Sequence, residues 1–300
     1  MSRIVQALSL GCLAAIGVTS YHMLAVGDAV GTPKVDAQSL AARGMEEGAG
    51  AIVRADGTPD DALLAMARRA CTAEAIEAAI ATLRAHTASQ PQDGTAWRRL
   101  ADAFLQRVLQ QNLLRGMRVG EPTRTDLPVA IAADLDAADS ALAHARELGD
   151  DSAASHVVEA EILSQRITGI ASALQWNGKI AAALAAATAR AKDDPRLHIA
   201  LGLRKLMAPE FLCHDAAGAL GHFDFAARNM PDDERPALFA AMASHLQQKR
   251  LDAIAWLERA VERNPNNLFA KVVLARVKRG EDDPFGRDVT PAEASAANPK

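Results

Sequence analysis

The chain has 300 residues, of which 49% are hydrophobic and only 4% aromatic. Its apolar content is largely alanine and leucine, which are the strongest helix formers, and no long stretch alternates β-branched with polar residues as a strand would. The 33 basic and 37 acidic residues give a net charge of −4 without any basic run, which disfavours a nucleic-acid-binding surface. We therefore predict an all-α protein that does not bind nucleic acid.

The first 27 residues predict a segment that enters a membrane. Residues 4–26 are almost uncharged, and as a helix rising ~1.5 Å per residue they are long enough to cross the hydrocarbon layer of roughly 30 Å. Arg3 before this segment and Asp28 after it place the remainder of the chain outside the cytoplasmic membrane. Ala25-Val26-Gly27 has the small-x-small form of a processing site, so an uncleaved anchor and a cleaved signal peptide both stay open.

Two other interpretations of the N-terminus also remain. Ser9-Leu10-Gly11-Cys12 is faintly similar to a lipoprotein acylation box, and a cytosolic protein could begin with an apolar helix. Beyond this segment, residues 28–59 are rich in glycine and small polar residues and show no persistent helical face. This composition predicts a flexible tether.

From residue 60 onward, apolar residues recur with the spacing of paired helices. Thr72 marks the start of the second helix of the first pair, and Pro91 its close. The predicted core positions of this pair are Leu63, Met66 and Ala67, then Ala79 and Leu83. The second pair opens on Trp97, Leu100, Ala101 and Phe104.

The second helix of that pair is delayed by an insertion. Residues 116–128 contain Gly120, Pro122 and Pro128 and cannot form a regular helix. A loop this long within a compact repeat is either functional or an evolutionary insertion. The helical pattern then resumes at Ala138, Leu142 and Ala145.

The third pair is degenerate. We predict helices at 152–166 and 179–192, separated by the region of Gly169 and Gly178 and closed by Pro195. A fourth pair opens at Leu201-Gly202, with a connection stretched by residues 208–215.

The clearest signal is one short pattern that occurs twice, 34 residues apart. Its spacing of four and then three residues keeps the apolar positions on one face of a helix, and a proline ends that helix. A 34-residue period is that of two antiparallel helices and a turn, which must stack on neighbours to bury their apolar face. Ala219, Phe223, Ala226 and Pro231 recur as Ala253, Leu257, Ala260 and Pro265.

The C-terminal end of the chain predicts a cap and a tail. Residues 268–279 form a last helix without a partner, of the kind that closes a repeat array. Residues 280–300 show no periodicity and predict a disordered tail.

Over residues 60–279 the spacing resembles the tetratricopeptide (TPR) repeat family. The resemblance implies a right-handed α-α superhelix, preceded here by the N-terminal hydrophobic helix. It also implies that the first helices line a concave groove that holds a partner's peptide or helix. By register, that groove would be lined by Arg98, Asp102, Arg235, Leu238, Met242 and Arg276.

A narrower resemblance lies in residues 209–226. Pro209-Glu210-Phe211-Leu212-Cys213-His214-Asp215, continued by Ala219, His222, Phe223 and Ala226, is similar to the P-x-x-L-G-G-D-x-x-x-A-x-x-H-F-x-x-A stretch of periplasmic T-component proteins associated with TRAP-type transporters. Cys213-His214 replaces the two glycines of that stretch. This resemblance implies an exported helical scaffold that works beside a solute-uptake system.

Candidate catalytic and metal-binding residues have structural explanations. Cys213, His214, His222 and Asp224 lack the spacing of a zinc motif, so we predict no metal site. Cys71 and Cys213 belong to different repeats, which favours two isolated thiols over a disulfide. No nucleophile motif, phosphate-binding loop or HExxH pair occurs, so we expect no enzymatic activity and no cofactor.

These observations predict a non-catalytic TPR scaffold in the cell envelope. It would be periplasmic, anchored in the inner membrane through residues 4–26 or secreted after cleavage, and would bind a protein or peptide partner in an envelope assembly. The alternative is a periplasmic accessory component of a TRAP-type solute-uptake system.

Overall fold

The computed structural model describes residues 59–209 and 214–298, all within one unit of the chain, Glu47–Lys300. Among these residues the chain forms twelve helices and no strand, which confirms the all-α prediction. The predicted signal segment at 1–27 lies outside the described residues, as does all but the last residue of the predicted tether at 28–59. Among the helices that are described, none combines the length and the hydropathy needed to cross a membrane.

The helices follow one another with short connections, except after the third. They are α1 (Pro59–Ala70), α2 (Ala73–Ser89), α3 (Gly94–Leu113), α4 (Val129–Glu147), α5 (Ala153–Gln165), α6 (Ile170–Arg190), α7 (Pro195–Met207), α8 (Ala216–Asn229), α9 (Arg235–Leu246), α10 (Arg250–Arg263), α11 (Leu268–Arg279) and α12 (Pro291–Ala297). The long connection between α3 and α4 is the predicted insertion, and it contains no helix.

Successive helices pack in pairs, from α1 with α2 to α9 with α10. The first helix of each pair also contacts the first helix of the next pair, from α1 with α3 to α7 with α9. This is the contact pattern of stacked two-helix units, in which a face left open by one pair is covered by its neighbour.

The repeated sequence pattern marks the buried face of the second helices. Phe223 and Leu257 are fully buried, and so are the alanines on either side of each. The same spacing of four and three residues recurs in α2, α4 and α6. In α6 it was not recognised from the sequence, because the third helical pair is degenerate. The buried positions are Ala79 and Leu83 in α2, where the third position is the half-buried His86, then Ala138, Leu142 and Ala145 in α4, and Ile180, Leu184 and Ala187 in α6.

Local signals set most helix ends. Pro91, Pro231 and Pro265 each stand two residues beyond the end of a second helix, since proline cannot continue a helix. Thr72 caps α2 as predicted, because its hydroxyl accepts a hydrogen bond from the Ala75 backbone N–H at 3.2 Å. Asn267 caps α11 in the same way, with its side-chain oxygen 3.0 Å from the Ala270 N.

The helix predicted at 179–192 begins nine residues earlier, at Ile170, so the prediction of a break at Gly178 is wrong. A single glycine within a helix costs about 1 kcal/mol relative to alanine. The alanine-rich sequence that follows is strongly helix-forming and offsets this cost. Gly178 also faces open space, so no packing contact depends on a side chain there.

The C-terminal segment, residues 280–298, is folded rather than disordered. Phe285 is 2% exposed, and Pro291–Ala297 form α12. Thr290 and Glu293 form a reciprocal capping box at the start of this helix. The absence of helical periodicity misled the prediction, because the segment is held by contacts with distant residues rather than by a continuous apolar face.

We predict that Gly202→Ala destabilises the fold while Gly178→Ala stabilises it. A Cβ atom at position 202 would lie 2.5 Å from Cε1 of Phe223, whose buried ring also packs on Phe239. Overpacking of this kind costs about 1–3 kcal/mol of unfolding free energy. At position 178 alanine meets nothing, and removing glycine from a helix gains about 0.5–1 kcal/mol. The midpoint urea concentration should fall for Gly202→Ala and rise for Gly178→Ala. A shift of the same sign in both variants would contradict the packing described.

Candidate partner-binding surface

The six residues predicted to line a groove fall at several separate places in the structure. Asp102 and Arg235 lie in a cluster of charges formed by the first helices, and Leu238 and Met242 lie in the apolar core around α9. Arg276 is fully buried beneath the C-terminal segment. Arg98 pairs with Asp150 in the turn between α4 and α5, with Nε 3.0 Å from Oδ2. The six therefore do not share one surface.

Asp102 is the centre of the charge cluster. The Arg196 guanidinium binds it through two hydrogen bonds of 2.6 and 2.9 Å, and Arg68 Nη2 donates a third at 2.7 Å. Gln106 donates a fourth from one turn further along α3. These contacts join α1, α3 and α7, helices that are far apart in the chain. We call Arg68, Asp102, Glu161, Arg196, Asp233 and Arg235 the inner charge cluster.

The inner charge cluster balances three guanidinium groups against three carboxylates. Arg196 also donates to Glu161 at 2.6 Å, and Arg235 pairs with Asp233. Burial opposes ionisation of Asp102, but Arg196 and Arg68 outweigh it and hold the pKa of the Asp102 carboxyl well below its usual range. Burial likewise opposes the charge of Arg196, yet Asp102 and Glu161 raise its pKa above the ordinary value. Because each charge has a partner, the cluster joins helices rather than offering a free charge to a ligand.

Two turns from opposite ends of the repeat region also touch. Asn266 Nδ2 donates to the Arg69 carbonyl at 3.2 Å, and Asn264 Nδ2 lies 3.4 Å from Cys71 Sγ. Burial, reinforced by the charge of Glu234, raises the pKa of the Cys71 thiol to about 11, which keeps it protonated and unreactive at neutral pH. Cys71 is a free thiol, and Cys213 lies outside the described residues.

The insertion and the C-terminal segment contact each other, although neither belongs to a helical repeat. In the structure the insertion comprises residues 114–128. Met117 N donates to the Phe285 carbonyl at 2.8 Å, and Val289 N donates to the Leu114 carbonyl at 2.9 Å. Gly116 makes this approach possible: its φ is +83°, and a Cβ atom there would lie 2.7 Å from Arg287 N.

Arg276 holds the C-terminal segment in place. Its guanidinium donates to both Glu293 carboxylate oxygens, at 2.8 and 2.7 Å. The remaining donors reach the backbone carbonyls of Pro284, Arg287 and Asp288 at 2.8–3.1 Å. Hydrogen bonds from Arg276 hold the pKa of the Glu293 carboxyl well below its usual range. One buried side chain therefore fixes the path of residues 284–293.

A cleft of about 270 Å³ lies where the insertion, the C-terminal end of α9 and the C-terminal segment meet. Its apolar lining consists of Met117, Val119, Met242, Leu246 and Phe285. Met242 is a predicted groove residue, whereas the other four were not predicted from the sequence to bind a partner. Phe285 and the Thr290-x-x-Glu293 capping box were signals within the supposed tail that would have indicated a packed segment.

His214 and His222, two of the four residues considered above as metal ligands, contact other groups. His222 Nδ1 lies 3.2 Å from His198 Nδ1, and His214 Nδ1 lies 3.0 Å from the Leu206 carbonyl. Burial and the nearby His198 lower the pKa of His222. Residues 210–213, the centre of the stretch similar to T-component proteins, lie outside the described residues.

Comparison with known proteins finds no protein-family model that matches this chain, and no curated protein that matches it in sequence.

We predict that Asp102→Leu lowers the free energy of unfolding by about 2–4 kcal/mol. Removing the carboxylate leaves Arg68 and Arg196 without their shared partner. The expected loss is slightly smaller than the cost of breaking a fully buried ion pair, because both arginines keep some contact with solvent. The depressed pKa of Asp102 means that its contribution is complete above the unfolded pKa of about 3.9 and is lost as the pH falls below it. The difference in unfolding free energy between variant and wild type should therefore be larger at pH 7 than at pH 3, as measured by denaturant unfolding at each pH. Asp193→Leu, at an exposed turn, is the control.

We predict that Arg276→Lys releases the C-terminal segment without unfolding the repeats. Lysine cannot reproduce the paired contact with Glu293, nor reach three carbonyls at once. Amide hydrogen exchange at Met117 and Val289 should accelerate by at least about tenfold, while exchange in α3 stays slow. Arg228→Lys, whose side chain is 70% exposed and pairs with Asp224 of its own helix, should leave both rates unchanged. Unaltered exchange in Arg276→Lys would contradict the proposed anchoring.

Proposed function

We propose that this chain is a non-catalytic TPR-like scaffold, exposed outside the cytoplasmic membrane, that binds a protein or peptide partner in an envelope assembly. In this proposal the helical pairs stack as a right-handed superhelix, and the partner docks at the cleft beside α9. The observation that carries the proposal is the convergence of the insertion and the C-terminal segment, the two parts of the described chain that depart from the repeat pattern.

Neither segment adds a helical pair to the stack. Repeat units bury their faces against neighbouring units, whereas these two segments pack on the edge of the core through Met117, Val119 and Phe285. Here both are ordered at a cost in conformational entropy of about 1–2 kcal/mol per residue, and both contribute to one cleft. Long ordered loops held by a rigid frame are where binding residues concentrate.

The lining of the cleft suits contact with another chain. Leu246 is 38% exposed, and Met117 and Val119 are only partly buried. Methionine adapts its shape to a partner, and apolar side chains of this kind form the centre of protein interfaces. The predicted groove positions on the first helices, in contrast, are taken up by paired charges at Asp102 and Arg235 and by the core at Leu238 and Met242.

Export rests on residues 4–26 and on the resemblance to T-component proteins. That resemblance also supports the alternative function, an accessory component of a solute-uptake system. The two functions differ in what the cleft binds: a structural partner in the first, a transport protein in the second.

Site-specific photo-crosslinking in membranes of the source cells tests the proposal. A photoreactive amino acid replaces Leu246 in the cleft or, as the control, Leu251 on α10, which is 80% exposed and does not line the cleft. We expect a discrete adduct at position 246 that is absent at 251, that disappears when excess unlabelled wild-type chain is added as a competitor, and that persists when the competitor is the Leu246→Asp chain.

Three results would count against the proposal. An adduct of equal yield at both positions, or none at 246, would contradict docking at the cleft. An adduct at 246 consisting of a transport protein would favour the solute-uptake alternative. Thermal denaturation of Leu246→Asp checks that the variant is folded, because the Leu246 side chain is only 38% exposed. If its Tm is lowered, the comparison is repeated at a temperature at which both chains are folded.

A further inference from the structure

We infer that the partner presents an aliphatic side chain beside a basic one, and that the cleft binds this pair, with the aliphatic group on its floor and the basic group at its rim. The inference rests on the proposed function, because it names the chemistry of the partner at the same cleft.

The rim of the cleft is acidic. Asp282 and Asp283 on one side and Glu121 on the other are exposed carboxylates, and among the described residues the only strongly basic side chain lining the cleft is Arg118. Arg118 lies 4.0 Å from Glu121, with more than half of each side chain exposed. An ion pair of this kind is weak, and within the described rim it leaves the two aspartates uncompensated.

Two hydrogen bonds hold the turn that carries the two aspartates. Asp283 Oδ1 accepts a hydrogen bond from Gly286 N at 2.8 Å. The Asp282 carbonyl lies 3.3 Å from His245 Nε2, and the His245 ring packs on Phe285. These contacts fix the turn without neutralising either carboxylate. The acidic rim therefore has a defined position beside the apolar floor.

The cleft is small and open to solvent. Its volume of about 270 Å³ lies near the lower limit of the roughly 300–1,000 Å³ typical of small-molecule sites. One aliphatic side chain of a peptide fits such a space, where Leu246, Met117 and Val119 offer partly exposed apolar surface above the buried Met242 and Phe285. A lysine or arginine next to that side chain would then lie within reach of Asp282 and Asp283. Complementary charges of this kind select between partners.

A peptide selection tests the chemistry. A phage-displayed library of random dodecapeptides is selected on the full-length protein, and the enriched peptides are synthesised and measured by fluorescence anisotropy. We expect enrichment of leucine, isoleucine or methionine adjacent to lysine or arginine. Replacing that basic residue of the peptide by glutamate should weaken binding by at least about tenfold.

Two double variants with the same change in net charge test whether the acidic rim contributes to peptide binding. Asp282→Asn with Asp283→Asn removes two negative charges, and the amide oxygen introduced at the second position can still accept the hydrogen bond from Gly286 N. We expect this pair to weaken binding by about three- to tenfold, with a smaller difference at high salt. Asp193→Asn with Asp232→Asn makes the same change in net charge at exposed turns outside the cleft and should change binding less than about twofold, since distant charges are screened.

The outcomes separate this inference from the proposed function. If Leu246→Asp abolishes peptide binding and the Asp282/Asp283 double substitution has no effect, the cleft is a docking site and the inference about its partner is wrong. If neither variant changes binding, or no peptide is enriched, both proposals are wrong. Enriched peptides that are acidic, or apolar throughout, also overturn the inference.

Discussion

A single buried guanidinium determines the shape of the candidate binding surface. Arg276 directs its five donors to Glu293 and to three backbone carbonyls of the C-terminal segment. A charged side chain is removed from solvent at a high cost unless its donors are satisfied, and here the path of the segment satisfies them. That path brings Phe285 against His245 and gives the insertion two backbone hydrogen bonds. The cleft exists because these contacts occur together.

The inner charge cluster imposes a second constraint, on the repeats themselves. Asp102 joins Arg68 on α1 to Arg196 on α7, so residues far apart in the chain share one carboxylate. The predicted groove lay along the first helices, but in the structure Asp102 is paired with Arg196, and Arg235 with Asp233. In our proposal the partner therefore binds at the edge formed by α9, the insertion and the C-terminal segment.

The proposed partner chemistry follows from the contrast between the two regions. In the inner cluster, guanidinium and carboxylate groups are equal in number, and the cluster stabilises the fold. At the described rim of the cleft, Asp282 and Asp283 have no such balance and stand beside exposed apolar groups. Unbalanced charge at the rim of an apolar surface provides selectivity, and balanced, partly buried charge provides cohesion between helices. The same residue types therefore serve different purposes according to their partners.

The sequence alone determined most of the helical content and the pairing of the helices, because both follow from the spacing of apolar residues. It missed α12 and the first nine residues of α6, which no such spacing marks. The pattern of Ala219, Phe223 and Ala226 identified a buried face, and prolines such as Pro231 identified helix ends through the missing backbone N–H. It also showed that residues 116–128 interrupt the pattern. Only the tertiary structure decided what that interruption contacts, where Arg276 directs its donors and which charges pair with Asp102. Those contacts join residues far apart in the chain, and no local period of apolar residues records them.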